Sequence, residues 1–295
     1  MVIAFALAAA VLYGSADFLG GAASRRARAH SVLLISAPAG AAAMIAVAVL
    51  AGGPFQSAGM SWALAAGVAG GGGLIAFYAG LAAGPMSVVA PVSALVSTVL
   101  PVGVALAAGE RTGPAVYAGA AVCLVAIVLV SMEGRPRTAA ADGAAAAPGH
   151  QRARRHAIAR GLGYGVAAGL AFGIFLLFMR NAGTSGVLWP VCVARVGGTA
   201  TILAAAAWLG TRPPGRGAGR WVLGAAVAAG VLDATANVCY VLAARAGLFG
   251  MAVVITSLYP GITVLLARVM LGERMRAVQR IGLVLAAAGV ALVTF

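Results

Sequence analysis

The chain has 295 residues, of which 62% are hydrophobic and only 9% are charged, and its mean hydropathy is +1.03. A soluble domain carries roughly 25% charged residues, so this composition excludes a soluble globular protein and indicates a polytopic membrane protein. The net charge of +14 comes from arginines in short tracts between apolar stretches, without an accompanying aromatic–basic surface, which argues against nucleic-acid binding.

Apolar stretches of about 20 residues, the length that a helix needs to cross the hydrocarbon core, follow one another along the chain. Their hydrophobicity is continuous rather than alternating, which favours helices over strands. We therefore predict an all-α polytopic membrane protein with ten transmembrane helices. The predicted spans are 3–22, 31–51, 62–83, 86–107, 114–132, 160–179, 187–208, 221–243, 248–271 and 277–295.

One polar segment interrupts the series of apolar spans. Residues 133–159 are rich in alanine, glycine, proline and arginine and poor in bulky apolar residues. This composition is typical of a flexible linker. We therefore expect a first five-helix unit at 1–132, a cytoplasmic linker at 133–159 and a second five-helix unit at 160–295.

The two units share a sequence pattern. One constant shift superposes Gly84 on Gly247, the hinge Gly109-Glu110-Arg111 on Gly272-Glu273-Arg274, and Gly119 on Gly282. Glutamate is rare in this chain, so two glutamates at equivalent positions indicate an internal duplication.

The arginines are unevenly distributed between the two sides of the predicted bundle. Most lie in the linker and in the loops between spans 1 and 2, 7 and 8, and 9 and 10, whereas Arg111, Arg180 and Arg245 lie at the opposite side. The arginine-rich side should face the cytoplasm, which places both termini outside. Five spans in each unit then insert the second unit in the opposite orientation to the first, as in an inverted repeat.

Glycines spaced for close helix packing recur in several spans. Gly161, Gly165, Gly169 and Gly173 share one face of span 6, and 67–73 is glycine-rich in span 3. Small residues at such spacing let helices approach closely within lipid. We expect most of these glycines to pack against neighbouring helices rather than to contact a substrate.

The second unit carries Leu258-Tyr259-Pro260, then Leu271-Gly272-Glu273-Arg274, then Gly282 and Gly289. Two five-span units, each with a Gly-Glu-Arg hinge between its fourth and fifth spans, resemble the EamA-type branch of the drug/metabolite transporter superfamily. The first span, LYGSADFLGGAASRR, resembles the opening of bacterial members. The first unit departs from the pattern, with Ser97 where the second unit has proline. The resemblance implies the ten-helix fold and a transport role, and it leaves the substrate open among amino acids, sugars, nucleotide precursors and amphipathic drugs.

Ionisable residues inside the spans are candidates for function, because a charge at the bilayer centre costs roughly 2.5–3.5 kcal/mol on insertion scales. Counting residues from the span ends places Arg195 and Asp233 near mid-depth, so we predict an ion pair there. Asp17 and Arg268 lie nearer the cytoplasmic edge by the same count, so we predict a contact near the inner mouth. Arg268 could instead extend its side chain to the interface.

Other polar side chains extend this candidate site. Asn237 follows Asp233 by four residues and shares its helix face, and Tyr13, four residues before Asp17, likewise shares the face of Asp17. Tyrosines could supply cavity walls, and Pro260 beside Tyr259 breaks the backbone ladder, which is tolerated mainly beside cavities or other helices. The predicted substrate-binding residues are Tyr13, Asp17, Tyr78, Arg195, Asp233, Asn237, Tyr240 and Tyr259.

We expect a secondary transporter, with export as the direction, that moves a small metabolite or amphipathic compound by alternating access at a midplane cavity between the repeats. Asp17 and Asp233 are the acids that could bind a proton or an organic cation, and Asp17 is the better proton-coupling candidate if Asp233 is paired. The protein should be a monomer in the plasma membrane, without a metal or other cofactor. A lipid-carrier flippase of the same fold is the alternative. A channel, which needs a continuous polar path, and an intramembrane enzyme, which needs a catalytic motif, fit the sequence less well.

Overall fold

The computed structural model describes residues 1–24, 26–27, 29–51, 55–83, 86–109, 114–131, 148–182, 187–211, 219–247, 249–271 and 277–294. Within these ranges the chain forms eleven helices and no strand, so the predicted all-α class is confirmed. The helices are α1 (Val2–Ser24), α2 (Ala29–Leu50), α3 (Met60–Ala83), α4 (Met86–Ala107), α5 (Pro114–Ser131), α6 (Pro148–Ala182), α7 (Leu188–Trp208), α8 (Gly219–Ala246), α9 (Phe249–Thr256), α10 (Tyr259–Leu271) and α11 (Ala277–Thr294).

Several of these helices match the dimensions of a lipid bilayer. Among the described residues, six helical segments are long and apolar enough to cross a membrane, and they fall in α1, α2, α3, α6, α7 and α8. Shorter apolar segments lie at Val92–Ala107, Tyr117–Leu129, Phe249–Thr263 and Ala277–Gly289. The fold is therefore that of a multi-pass helical membrane protein.

The start of α6 differs from the prediction. This helix begins at Pro148 and not near residue 160, so 148–159, expected to belong to the flexible linker, is helical. The segment after Gly149 contains mainly arginine and alanine, which favour helix, and has no glycine or proline before Gly161. Residues 133–147 of the expected linker lie outside the described part of the chain.

The predicted ninth span is not one helix but two. The turn between α9 and α10 lies at 257–258, directly before Tyr259 and Pro260. Proline has no N–H to return to the Thr256 carbonyl, so one hydrogen bond of the helical ladder is missing where α10 begins. Helix α4 carries Ser97 at the equivalent position and is continuous, with the Ser97 hydroxyl donating to the Ala94 carbonyl at 3.0 Å. Both glutamate-containing hinges, at 110–111 and 272–274, lie outside the described residues.

Helices α1 and α8 pack side by side in antiparallel directions. Ala6 packs with Ala243 near one end of the pair, Gly20 lies beside Ala229, and Ala23 packs with Ala226 near the other end. Asp17 therefore lies at the level of Asp233, and Tyr13 lies about one turn further along, near Asn237.

Glycines form the closest helix contacts, and their predicted packing role is confirmed. A methyl group at Gly40 of α2 would lie 2.5 Å from the carbonyl oxygen of Gly230 on α8. On α6, a methyl group at Gly169 would lie 2.7 Å from the Ser93 carbonyl oxygen of α4. On α3, Gly73 packs against Phe172 of α6. At the Gly40–Gly230 crossing the backbones meet without a side chain between them, and at the other two the glycine leaves room for the neighbouring helix, which stabilises helix pairs in lipid.

Candidate functional site

The predicted ion pair between Arg195 of α7 and Asp233 of α8 is present. The Arg195 Nη1 atom contacts the Asp233 carboxylate, and Nη2 donates a hydrogen bond to the Asp233 backbone oxygen at 3.0 Å. The side chains are 18% and 36% exposed, respectively, so the pair is partly shielded by its neighbours. An ion pair between two apolar helices lowers the cost of placing either charge in the membrane.

Asn237 lies one turn after Asp233 on α8 and is almost fully buried. Its Nδ2 atom donates to the Asp233 backbone oxygen at 2.8 Å. Its Oδ1 atom is buried and has no hydrogen-bond partner in the described part of the chain. Buried polar atoms are nearly always hydrogen-bonded, so an unpartnered oxygen next to an ion pair indicates a place for a ligand or water.

Tyr13 of α1 supplies a second buried polar atom without a partner. Its hydroxyl lacks a hydrogen bond within the ranges that the structure covers. Electrostatic interactions link this hydroxyl to Asp233 and Arg195. Its ring packs against that of Tyr259, with 6.2 Å between the ring centroids and 60° between the planes. Tyr13 on α1 and Asn237 on α8 thus both lie near Asp233.

Asp17 interacts electrostatically with both Asp233 and Tyr259, and it remains exposed although it lies within an apolar span. The prediction that Asp17 lies in a separate layer, nearer the cytoplasmic edge than Asp233, is wrong. Helix α8 starts at Gly219 and extends beyond the end of α1 at Ser24, so counting residues from each helix end did not compare equal depths.

Tyr240 and Tyr78 complete the predicted site residues. Tyr240 is fully buried, and its hydroxyl donates to the Leu176 carbonyl of α6 at 3.0 Å, so it braces α8 against α6. The side chain of Tyr78 lies outside the described residues, as does that of Arg268, so the Asp17–Arg268 contact stays a prediction.

Threonines near the helix break were missed by the sequence analysis. The Thr263 hydroxyl is 3.2 Å from the backbone oxygens of both Gly14 and Tyr259, which ties α10 to α1 beside Tyr13. The buried Thr256 hydroxyl, directly before the break, has no partner among the residues described. Hydroxyls within one turn of an intramembrane proline were the available signal, because freed carbonyls there need donors.

Apolar helices that carry an ion pair, a second carboxylate and two tyrosine rings within their spans define a multi-pass membrane protein with a polar site among its helices. Residues 159–295 match the model of the EamA-like transporter family, so the predicted resemblance to this family is confirmed. This family is part of the drug/metabolite transporter superfamily, and the fold and the match fit a membrane transporter.

A solved structure shares the helical fold described above over nearly the whole chain. Sixteen chains match, and one, titled only "Crystal structure of protein", has a TM-score of 0.76 at 19% identity, over 99% of this chain and 96% of that one. At this identity the likeness shows the fold alone. No curated protein matches the sequence.

Proposed function

We propose that this protein is a secondary transporter that moves a small metabolite or amphipathic compound, and that its substrate binds at the α1–α8 polar site. This site comprises Tyr13, Asp17, Arg195, Asp233, Asn237 and Tyr259. The observation that carries the proposal is the pair of buried polar atoms without partners in the described residues, Tyr13 Oη and Asn237 Oδ1, beside the Arg195–Asp233 ion pair.

The packing of the helices supports two inverted five-helix repeats. We take α1–α5 as the first unit. The second unit is α6, α7, α8, the pair α9 with α10, and α11. When each helix is replaced by its counterpart in the other unit, a contact between the units becomes another contact that is also present. The contact of α3 with α6 corresponds to that of α1 with α8, and the contact of α3 with α7 corresponds to that of α2 with α8. The contacts of α2 with α7 and of α5 with α11 map onto themselves. This is the pattern expected of a pseudo-two-fold axis between inverted repeats.

The position of the site suits alternating access. Helix α1 of the first unit contributes Tyr13 and Asp17, whereas α7, α8 and α10 of the second unit contribute the other four residues. Rocking of one unit against the other would change the distances across this boundary and open the site to either side in turn. One chain contributes all six residues, so a monomer is sufficient.

A ligand-stabilisation screen of the purified protein tests the proposed site. Amino acids, polyamines, nucleosides and cationic dyes would be compared by thermal unfolding of the wild type and of Asp233→Asn. We expect at least one class to stabilise the wild type and to lose that effect in the variant. Asp142→Asn, the same substitution in the segment between the units, is the matched control. Stabilisation that persists in Asp233→Asn for every active class would contradict the proposed site.

Membrane topology is tested by labelling introduced cysteines. Ala27→Cys lies after α1 and Ala145→Cys lies in the segment between the units. In a variant without native cysteines, both should react with an impermeant thiol reagent from the cytoplasmic side, because arginine-rich loops stay inside. Reaction on opposite faces of the membrane would contradict the inverted arrangement and the external position of both termini.

A further inference from the structure

The hydrogen bond to the Asp233 backbone oxygen fixes the orientation of the Asn237 amide. A carbonyl oxygen only accepts hydrogen bonds, so the atom 2.8 Å from the Asp233 backbone oxygen must be the amide nitrogen. The Oδ1 atom of Asn237 therefore faces away from that carbonyl. It is buried without a partner among the described residues, in a side chain that is 2% exposed. A ligand that satisfies this atom must bring a hydrogen-bond donor.

The charges around this acceptor favour a cation. The described side chains at this level include two carboxylates, of Asp17 and Asp233, and one guanidinium, of Arg195. Arg195 is held by both the carboxylate and the backbone oxygen of Asp233. An anionic ligand would have to displace Asp233 from this arrangement, whereas a cation could approach Asp17 without disturbing it.

The aromatic side chains favour an organic rather than an inorganic cation. The rings of Tyr13 and Tyr259 are tilted against each other on the α1–α10 side of the site. Tyrosine faces attract ammonium groups and also pack against apolar groups. Electrostatic interactions connect Tyr259 with both carboxylates.

We infer that the substrate is a protonated organic amine that retains at least one N–H, which donates to Asn237 Oδ1 while its charge faces Asp17. Its apolar body would lie against the rings of Tyr13 and Tyr259. This inference rests on the proposed function and narrows it to one class of substrate. A quaternary ammonium lacks the donor, a neutral alcohol lacks the charge, and a carboxylate has the wrong charge.

Four probes of similar size separate the requirement for a positive charge from the requirement for an N–H donor. Phenethylammonium, its N,N,N-trimethyl derivative, 2-phenylethanol and 3-phenylpropionate would be titrated into the purified full-length protein at pH 7, with calorimetry as the measurement. Alkylammonium groups are protonated at this pH. We expect phenethylammonium to bind at least about tenfold more tightly than each of the others, the ratio that one charge-assisted hydrogen bond provides.

Two variants test whether Asp17 recognises the positive charge and Asn237 recognises the N–H donor. Asp17→Asn should weaken binding of both phenethylammonium and its trimethyl derivative, because both are cations. Asn237→Ala should weaken only phenethylammonium, which brings the ratio of the two affinities close to one. Ser15→Ala, whose hydroxyl bonds within α1, and Asp142→Asn should leave all affinities unchanged. If the Asn237 variant does not fold, the ratio in the wild type still decides.

The inference would be overturned by tightest binding of 3-phenylpropionate, by equal binding of phenethylammonium and its trimethyl derivative, or by ammonium binding that appears only in Arg268→Gln. The last result would mean that Arg268 pairs with Asp17 in the wild type and cancels its charge. A compound of another class whose binding is lost in Asp233→Asn would also overturn the choice of substrate, but it would leave the proposed transporter site standing. Binding that depends on neither Asp17 nor Asp233 would overturn both.

Discussion

Arg195 contacts both the side chain and the backbone of Asp233. One guanidinium nitrogen meets the carboxylate, and the other donates to the main-chain oxygen at 3.0 Å. The same oxygen also accepts from the Asn237 amide at 2.8 Å. Asp233 therefore links α7 to α8 and sets the orientation of Asn237, which makes it the structural centre of the site.

Breaking this pair should destabilise the protein. We expect Asp233→Asn and Arg195→Gln each to lower the free energy of unfolding by about 1–3 kcal/mol, less than a fully buried pair would lose because both side chains are only partly buried. The double variant should lose less than the sum of the two, since neither charge is then left alone. Thermal and denaturant unfolding in detergent measure the effect. Additive losses would mean that the two residues do not interact.

The crossing of α2 and α8 depends on Gly230. A methyl group there would overlap the Ser36 backbone oxygen, so Gly230→Ala should cost about 1–3 kcal/mol of stability or more. Gly224 is on the same helix, and a methyl group there meets no other described atom within 4 Å. Gly224→Ala should instead gain about 0.5–1 kcal/mol from helix propensity. Equal unfolding temperatures for the two variants would contradict this crossing.

Tyr240 should act as a brace. Tyr240→Phe removes the hydrogen bond to the Leu176 carbonyl and should cost about 1 kcal/mol of stability while leaving ligand affinity unchanged. Tyr164→Phe, on the more exposed part of α6, is the control and should change little. A fall in affinity without a fall in stability would instead favour the direct substrate contact that the sequence predicted for Tyr240.

Proton coupling, if present, should depend on Asp17. In proteoliposomes, an imposed pH gradient should accelerate substrate flux in the wild type and not in Asp17→Asn, since asparagine cannot exchange a proton. Exchange of substrate against substrate without a gradient is the control, because it requires no net proton movement. A gradient response that survives in the variant would exclude Asp17 as the coupling group.

The sequence was sufficient for features that depend on residue type and spacing. Apolar length predicted the helices, glycine spacing predicted close packing, and two opposite charges in neighbouring spans predicted the Arg195–Asp233 pair. The sequence analysis failed to predict the relative depth of two residues on different helices, because that depth depends on how far one helix extends past the other. Because α8 extends beyond α1, Asp17 lies level with Asp233, which no count along a single span could reveal.

The sequence also could not predict which buried polar atoms lack a hydrogen-bond partner. Whether Asn237 Oδ1 or the Tyr13 hydroxyl finds a partner depends on side chains from other helices. The helical start of α6 at Pro148 was missed for a different reason. Overall composition was weighed there above the local helix propensity of its alanine- and arginine-rich first turns.

The accessibility of position 17 tests the central claim most directly. In a variant lacking Cys123, Cys192 and Cys239, Asp17→Cys would be treated with an impermeant thiol reagent on right-side-out and inside-out vesicles. Val11→Cys, an exposed apolar position on the same helix, is the control for a lipid-facing site. Alternating access to a polar site predicts labelling of Asp17→Cys from both sides, with little labelling of Val11→Cys. Reaction from one side only, or no more reaction than at position 11, would contradict the account.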